Sequence, residues 1–138
     1  MTEWLEFHDS ILTGVDARET RVELLLDAYI HRWEKHDEQW RGTGWMQGVR
    51  IVVSNVVGPL AMPVLPAEIA VGWLRRGAVA HNDLVRLPLE ASAVISISLQ
   101  LNTDDVVEFT GSAVRIEATT DARYVEELPA DMRPQDPD

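Results

Sequence analysis

The chain contains no cysteine. That rules out disulfide staples and thiolate metal sites, and it suits a reducing, cytoplasmic compartment. Positive charge is scarce as well: 12 Lys and Arg stand against 23 Asp and Glu, a formal net charge of −11. Such a field repels a phosphate backbone, which argues against DNA or RNA binding, and it attracts a basic protein partner. An uninterrupted apolar run is also lacking. The most apolar region, residues 56–74 (VVGPLAMPVLPAEIAVGWL), is broken by Pro59, Pro63, Pro66 and Glu68, which a membrane-spanning helix would have to accommodate in lipid. It reads as a buried, turn-broken connection, with Pro66 opening one or two helical turns. The opening MTEWLEFHDS has no basic stretch ahead of an apolar one, so no signal peptide is expected. A soluble chain with no membrane association follows.

What is present is a rhythm of two. In RVELLLDAYIHRW (residues 21–33), Val22, Leu24, Leu26, Ala28 and Ile30 share one face, and Tyr29, His31 and Trp33 fall on the other. WMQGVRIVV repeats the alternation with Trp45, Val49, Ile51 and Val53, and AVISISLQL does so with Ile95, Ile97, Leu99 and Leu101. Each predicts a half-buried strand. NTDD then separates two such runs, as in a hairpin. In VVEFTGSAVRIEA the apolar phase changes from odd (Val107, Phe109) to even (Val114, Ile116). That shift requires one extra residue, predicted as a β-bulge near Gly111. ILTGVDAR predicts a shorter first strand, EKHDEQWRGTG an exposed loop, and DLVRLPL a short edge strand because of Pro88.

The expected fold is mainly β: an antiparallel sandwich or partly closed barrel of about six to eight strands, with at most one or two short helices. One domain would span residues 1–120. Residues 121–138 would form an acidic, proline-bearing tail with a short helix at DARYVEEL and partly disordered final residues.

The stretch FHDSIL places His8, Asp9 and Ser10 side by side, the residue types of a hydrolytic triad. Adjacent side chains on a strand point to opposite faces, and no G-x-S-x-G elbow is present. The trio therefore reads as a structural motif, with Asp9 and Ser10 bonding nearby backbone. The four histidines (His8, His31, His36, His81) show neither H-E-x-x-H nor H-x-H spacing, so neither a metal nor another cofactor is expected. The row Tyr29, His31 and Trp33, flanked further on by Trp40 and Trp45, is either an interface or a second small core beneath a helix or the Pro-rich crossover.

Together FHDSIL, AYIHRW, GTGWMQ and NDLVRLPL resemble a group of small bacterial β-rich proteins of unknown function. The matching positions are His8, Asp9 and Ser10; Tyr29 and His31; Gly42, Gly44, Trp45 and Gln47; and Asn82, Leu87, Pro88 and Leu89. Some proteins that begin with His-Asp-Ser resemble immunity proteins of bacterial toxin systems. The resemblance implies a binding role and makes the polar positions, Gln47 and Asn82 included, a shared structural signature.

These readings converge on a non-catalytic cytoplasmic protein that docks a basic partner. Tyr29, His31, Trp33, Trp40 and Trp45 would supply contacts, and Glu34, Asp37 and Glu38 would steer the encounter. The alternatives are a barrel with a small-molecule pocket lined by Trp45, Trp73 and methionines, and a His8/His31 hydrolase. Unpaired strand edges favour a homodimer.

Overall fold

The period-two segments resolve into nine strands in a computed structural model that describes residues 1–134. In chain order these are β1 (Thr2–Arg18), β2 (Arg21–His36), β3 (Gln39–Ser54), β4 (Ala67–Arg76), β5 (Val79–Asn82), β6 (Leu84–Leu87), β7 (Leu89–Leu101), β8 (Val106–Ala118) and β9 (Arg123–Leu128). Every pairing is antiparallel. Strands β1, β2, β3, β8, β7 and β4 follow one another around a ring, and β4 pairs back onto β1. The result is a closed six-stranded barrel with β5, β6 and β9 outside it.

The alternation explains the filling. Leu5, Leu12, Leu24, Ile30, Ile51, Ile97 and Leu99 point inward and are fully buried. A barrel this small has just enough interior for its own side chains. Truncating one of these residues to alanine costs about 2–5 kcal/mol.

The ring is closed unevenly. Strand β2 pairs with β3 along its length from Val22 to His36. The β1–β4 seam consists of only Ile11 opposite Glu68 and Leu12 opposite Ala67. Before that seam β1 pairs with β6 instead, from Glu3 to Glu6. Similarly, β3 pairs with β8 at its C-terminal end and with β9 at its N-terminal end. One end of the barrel therefore extends into a sheet ordered β6–β1–β2–β3–β9.

Several local expectations are corrected. Residues 34–44 form no loop: β2 and β3 are joined by a two-residue turn at Asp37 and Glu38, both left-handed (φ 49° and 67°). Hairpin turns of this hand usually use Asn-Gly, so the acidic pair carried no turn signal. β1 is long, not short, at 17 residues. After Pro66 comes strand β4, not helix, because Ala67 and Ile69 alternate into the core.

The Pro-rich connection, residues 55–66, has no regular structure, as its prolines require, but it is mainly exposed. Only Val56 is buried, with Leu60 and Leu65 packed partly against the core. DARYVEEL is strand, not helix: β9 pairs with β3, so the sheet continues past residue 120, and a 3₁₀ turn follows at Ala130–Met132. The expected disorder at the very end falls on residues 135–138, which lie outside the described residues.

The bulge needs a finer correction. The irregularity stands where the phase change demanded it, but the unopposed residue is on β7, between Ser92 and Ile95, opposite Gly111 and Ala113. Gly111 serves close approach instead. A Cβ there would sit 2.5 Å from the Ser54 carbonyl oxygen of β3.

Candidate functional site

His8, Asp9 and Ser10 occupy the joint where β1 leaves β6 and takes up β4. Asp9 adopts φ 74° in the irregular step between Glu6 and Ile11, and Asp tolerates this left-handed conformation better than most residues. Ser10 is fully buried. Its Oγ donates to the Glu6 carbonyl (2.6 Å) and accepts from the Tyr29 N–H (2.9 Å), stapling the irregular step to β2. His8 is turned the other way: Nδ1 donates to the Ala70 carbonyl on β4 (3.1 Å), and its backbone N–H donates to the Asp83 carboxylate (2.8 Å). Asp83 also accepts from Phe7 N–H and donates its own N–H to the Gly72 carbonyl, wedging between β1 and β4. The hydrogen bond to Ala70, aided by the nearby Asp9 carboxylate, raises the His8 pKa above its ordinary value. A triad needs His and Ser converging on one substrate atom; here they are committed to different backbone partners.

The row on β2 is buried. Tyr29, His31 and Trp33 are 7%, 2% and 0% exposed, which corrects their role as open contact residues: none is free to touch a partner. The face over them is a second small core, formed without a helix or the Pro-rich crossover. Gly42 lies opposite Trp33, and Gly44 opposite His31. With no side chains there, the Trp33 ring folds across Gly42 and the Tyr29 ring across Gly44, and a Cβ at either glycine would run into those rings.

Tyr29 thereby reaches β9, where its hydroxyl donates to Glu126 Oε2 (2.7 Å). His31 Nε2 lies 2.5 Å from Glu6 Oε2 on β1, with side chains only 3% and 13% exposed. The Tyr29 and His31 rings meet edge-on at 5.4 Å. Burial first, then the Glu126 hydrogen bond and the surrounding carboxylates, push the Tyr29 phenol far above its usual pKa. Burial and the hydrogen bond and charge of Glu6 raise the Asp9 carboxyl too. Among the described residues, His31 Nδ1 and Trp33 Nε1 are buried and have no hydrogen-bond partner.

The remaining predicted residues disperse. Trp40 is half-buried beneath the Arg133 guanidinium, 3.7 Å from its ring centroid. Trp45 points to the opposite face of β3, capping the core between Arg32 (4.5 Å) and Tyr124. Trp73 stands on β4, across the ring from Trp45, so the two line no common pocket. Met62 is on the Pro-rich connection, and Met1 and Met132 are exposed elsewhere.

Glu34, Asp37 and Glu38 are exposed at the tip of the β2–β3 hairpin, with Glu34 bonded to His36 (3.1 Å) and Glu38 to Lys35 (3.4 Å). Gln47 is structural: its amide donates to the Thr120 carbonyl (2.9 Å) where the chain turns from β8 into β9. Asn82 ends β5 opposite Trp73 and precedes Asp83. Buried His81 accepts from Arg76 Nε (3.2 Å), and burial together with that positive charge lowers its pKa. Among the described residues, no group of three or more His, Asp or Glu side chains is placed to hold a metal ion. No helix is long and apolar enough to cross a membrane.

No protein family, curated protein or solved structure matches this chain. The geometry stands alone.

Sequence reasoning missed Gly42 and Gly44 as a floor, and Glu6 and Glu126 as partners. A signal existed: an x-Gly-x-Gly strand directly follows a Tyr-x-His-x-Trp strand, so large rings are set against bare backbone once the hairpin register is known.

Proposed function

We propose that this chain is a non-catalytic cytoplasmic binding protein that docks a basic protein partner, as an immunity protein docks its toxin. One observation carries the reading: of the residues that looked catalytic, Ser10 and His31 are consumed in holding the fold, and exposed His8 and Asp9 are left without a serine hydroxyl to act on. Ser10 spends its hydroxyl on two backbone groups, and His31 is enclosed against Glu6. The barrel interior is filled with apolar side chains, mostly aliphatic with Phe7 and Phe109 among them. What remains available is the surface, and its formal charge of −11 favours a cationic partner and speeds the encounter.

The test is in-cell crosslinking to isolate a stoichiometric partner, followed by stopped-flow association of the purified pair. A partner with an isoelectric point above about 9, binding more slowly as salt is raised, is expected. Reversing the exposed trio Glu34, Asp37 and Glu38 to lysine is expected to slow association and flatten its salt dependence. A neutral or acidic partner, or salt-independent kinetics, would overturn the proposal.

A further inference from the structure

The hairpin tip carries charge but little apolar surface. At the opposite end of the barrel one segment has the reverse composition. Residues 55–66 (NVVGPLAMPVLP) contain no charged side chain, in a chain of which 25% is charged. Val57, Met62 and Val64 of this segment are 86%, 60% and 75% exposed. Beneath it lies an open cleft of about 460 Å³ lined by Val15, Val22, Val56, Leu60 and Met62 together with the carboxylate residues Asp16 and Glu19. Water-facing apolar side chains grouped on one irregular segment mark an interaction surface.

The segment is also held in place. Val56 N–H donates to the Thr20 carbonyl of the β1–β2 turn (2.7 Å), and Val64 N–H donates to the Asp105 carboxylate of the β7–β8 turn (3.2 Å). Pro59, Pro63 and Pro66 fix their own φ angles, so ordering the segment on binding would cost little entropy.

The charge around it selects the occupant. Arg18 and Arg21 are neutralised by Asp16 (3.3 Å) and Glu23 (2.6 Å). Glu19, Glu68 and Asp104 of the surrounding turns and β4 are exposed, and among the described residues they make no ion pair. Acidic side chains therefore stand beside the apolar ones in and around the cleft.

We infer that the 55–66 segment and its cleft are the docking surface for a protein segment that presents apolar side chains flanked by Lys or Arg. The inference rests on the proposed binding role and locates the contact at the end of the barrel remote from the Glu34 hairpin. Anionic membranes and a second copy of this chain share the acidic field's sign, so both are disfavoured as occupants.

The experiment uses the whole protein, ¹⁵N-labelled, with three synthetic peptide series: Leu/Phe/Trp centres flanked by lysine, the same centres flanked by glutamate, and lysine-only controls. Lysine-flanked apolar peptides are expected to shift the amides of residues 55–66 and of the turns at Glu19 and Asp104. Affinity is expected to fall about tenfold in Met62→Ser/Val64→Ser and to weaken in Glu68→Gln/Asp104→Asn, in which asparagine keeps the tolerance for the left-handed backbone at position 104 (φ 72°), with unchanged melting temperatures. Shifts confined to residues 34–38 would overturn this inference and leave the proposed function standing. Equal binding of the glutamate series, binding to phosphatidylglycerol vesicles, or self-association would each overturn the surface assigned here. Failure of every lysine-flanked apolar peptide to bind would overturn this inference alone, while the proposed function falls only if the crosslinked partner is neutral or acidic or associates independently of salt.

Discussion

The two ends of the barrel invert the usual distribution of side chains. At the β6–β1–β2–β3–β9 end, polar groups are inside: His31, Ser10 and the Tyr29 hydroxyl sit beneath the surface, with Glu6 and Glu126 beside them. At the other end, Val57, Met62 and Val64 face water. Burying a polar group is costly unless it is hydrogen-bonded, so the bonds made by Ser10, the Tyr29 hydroxyl and His31 Nε2 fix geometry, whereas an exposed apolar group gains nothing from the fold until something covers it. Ser10, Tyr29 and His31, which look chemical, are enclosed in the fold, whereas Val57, Met62 and Val64, which look like core, face water.

This contrast can be broken at graded cost. The largest effect is expected at Trp33, fully enclosed over Gly42. Trp33→Ala should lose about 3–5 kcal/mol in urea denaturation; a loss below about 1 kcal/mol would mean that the ring is not a packing element. Ser10→Ala comes next. It strands the Tyr29 N–H and the Glu6 carbonyl, and about 2 kcal/mol should be lost. Any hydrolytic activity that vanished with this hydroxyl in a still-folded variant would contradict the structural assignment.

A pH effect follows from Tyr29. Its pKa is raised on folding from an ordinary value of 10.0, so the native state holds its proton longer than the unfolded chain does. The associated stability is complete below pH 10 and is lost as pH climbs above it. In Tyr124→Phe, phenolate absorbance should stay absent up to the alkaline unfolding transition, and Tyr29→Phe should flatten the decline. Early titration of Tyr29 would show that its hydroxyl is open to water. The smallest effect is expected at the other end: Val57→Ser or Val64→Ser should change stability by no more than about 0.5 kcal/mol, measured by thermal melting.

The β class and the inward faces were legible because alternation is strict where one face meets the core, as in Ile95, Ile97, Leu99 and Leu101. What escaped depended on pairing. The β2–β3 turn was hidden because Asp37 and Glu38 are poor markers of a left-handed turn. β9 was hidden because RYVEEL does not alternate, and its side chains are mostly exposed. The structural role of His8, Asp9 and Ser10 could be argued from strand geometry, but its cause, a change of neighbour along β1, belongs to topology. The enclosure of Tyr29, His31 and Trp33 needed the register that sets them beside Gly42 and Gly44.

The narrow closure between β1 and β4 has a dynamic consequence. A ring breathes at its shortest ladder, and this one rests on Ile11 and Leu12 facing Glu68 and Ala67, with Asp83 clamped alongside. Sub-global opening should begin at that gap and swing the outer edge of β1 away from β4. Amides in the gap would then trade protons with heavy water well before those in the continuous β2–β3 hairpin. The trio His8, Asp9 and Ser10 would act as the hinge pin of the movement.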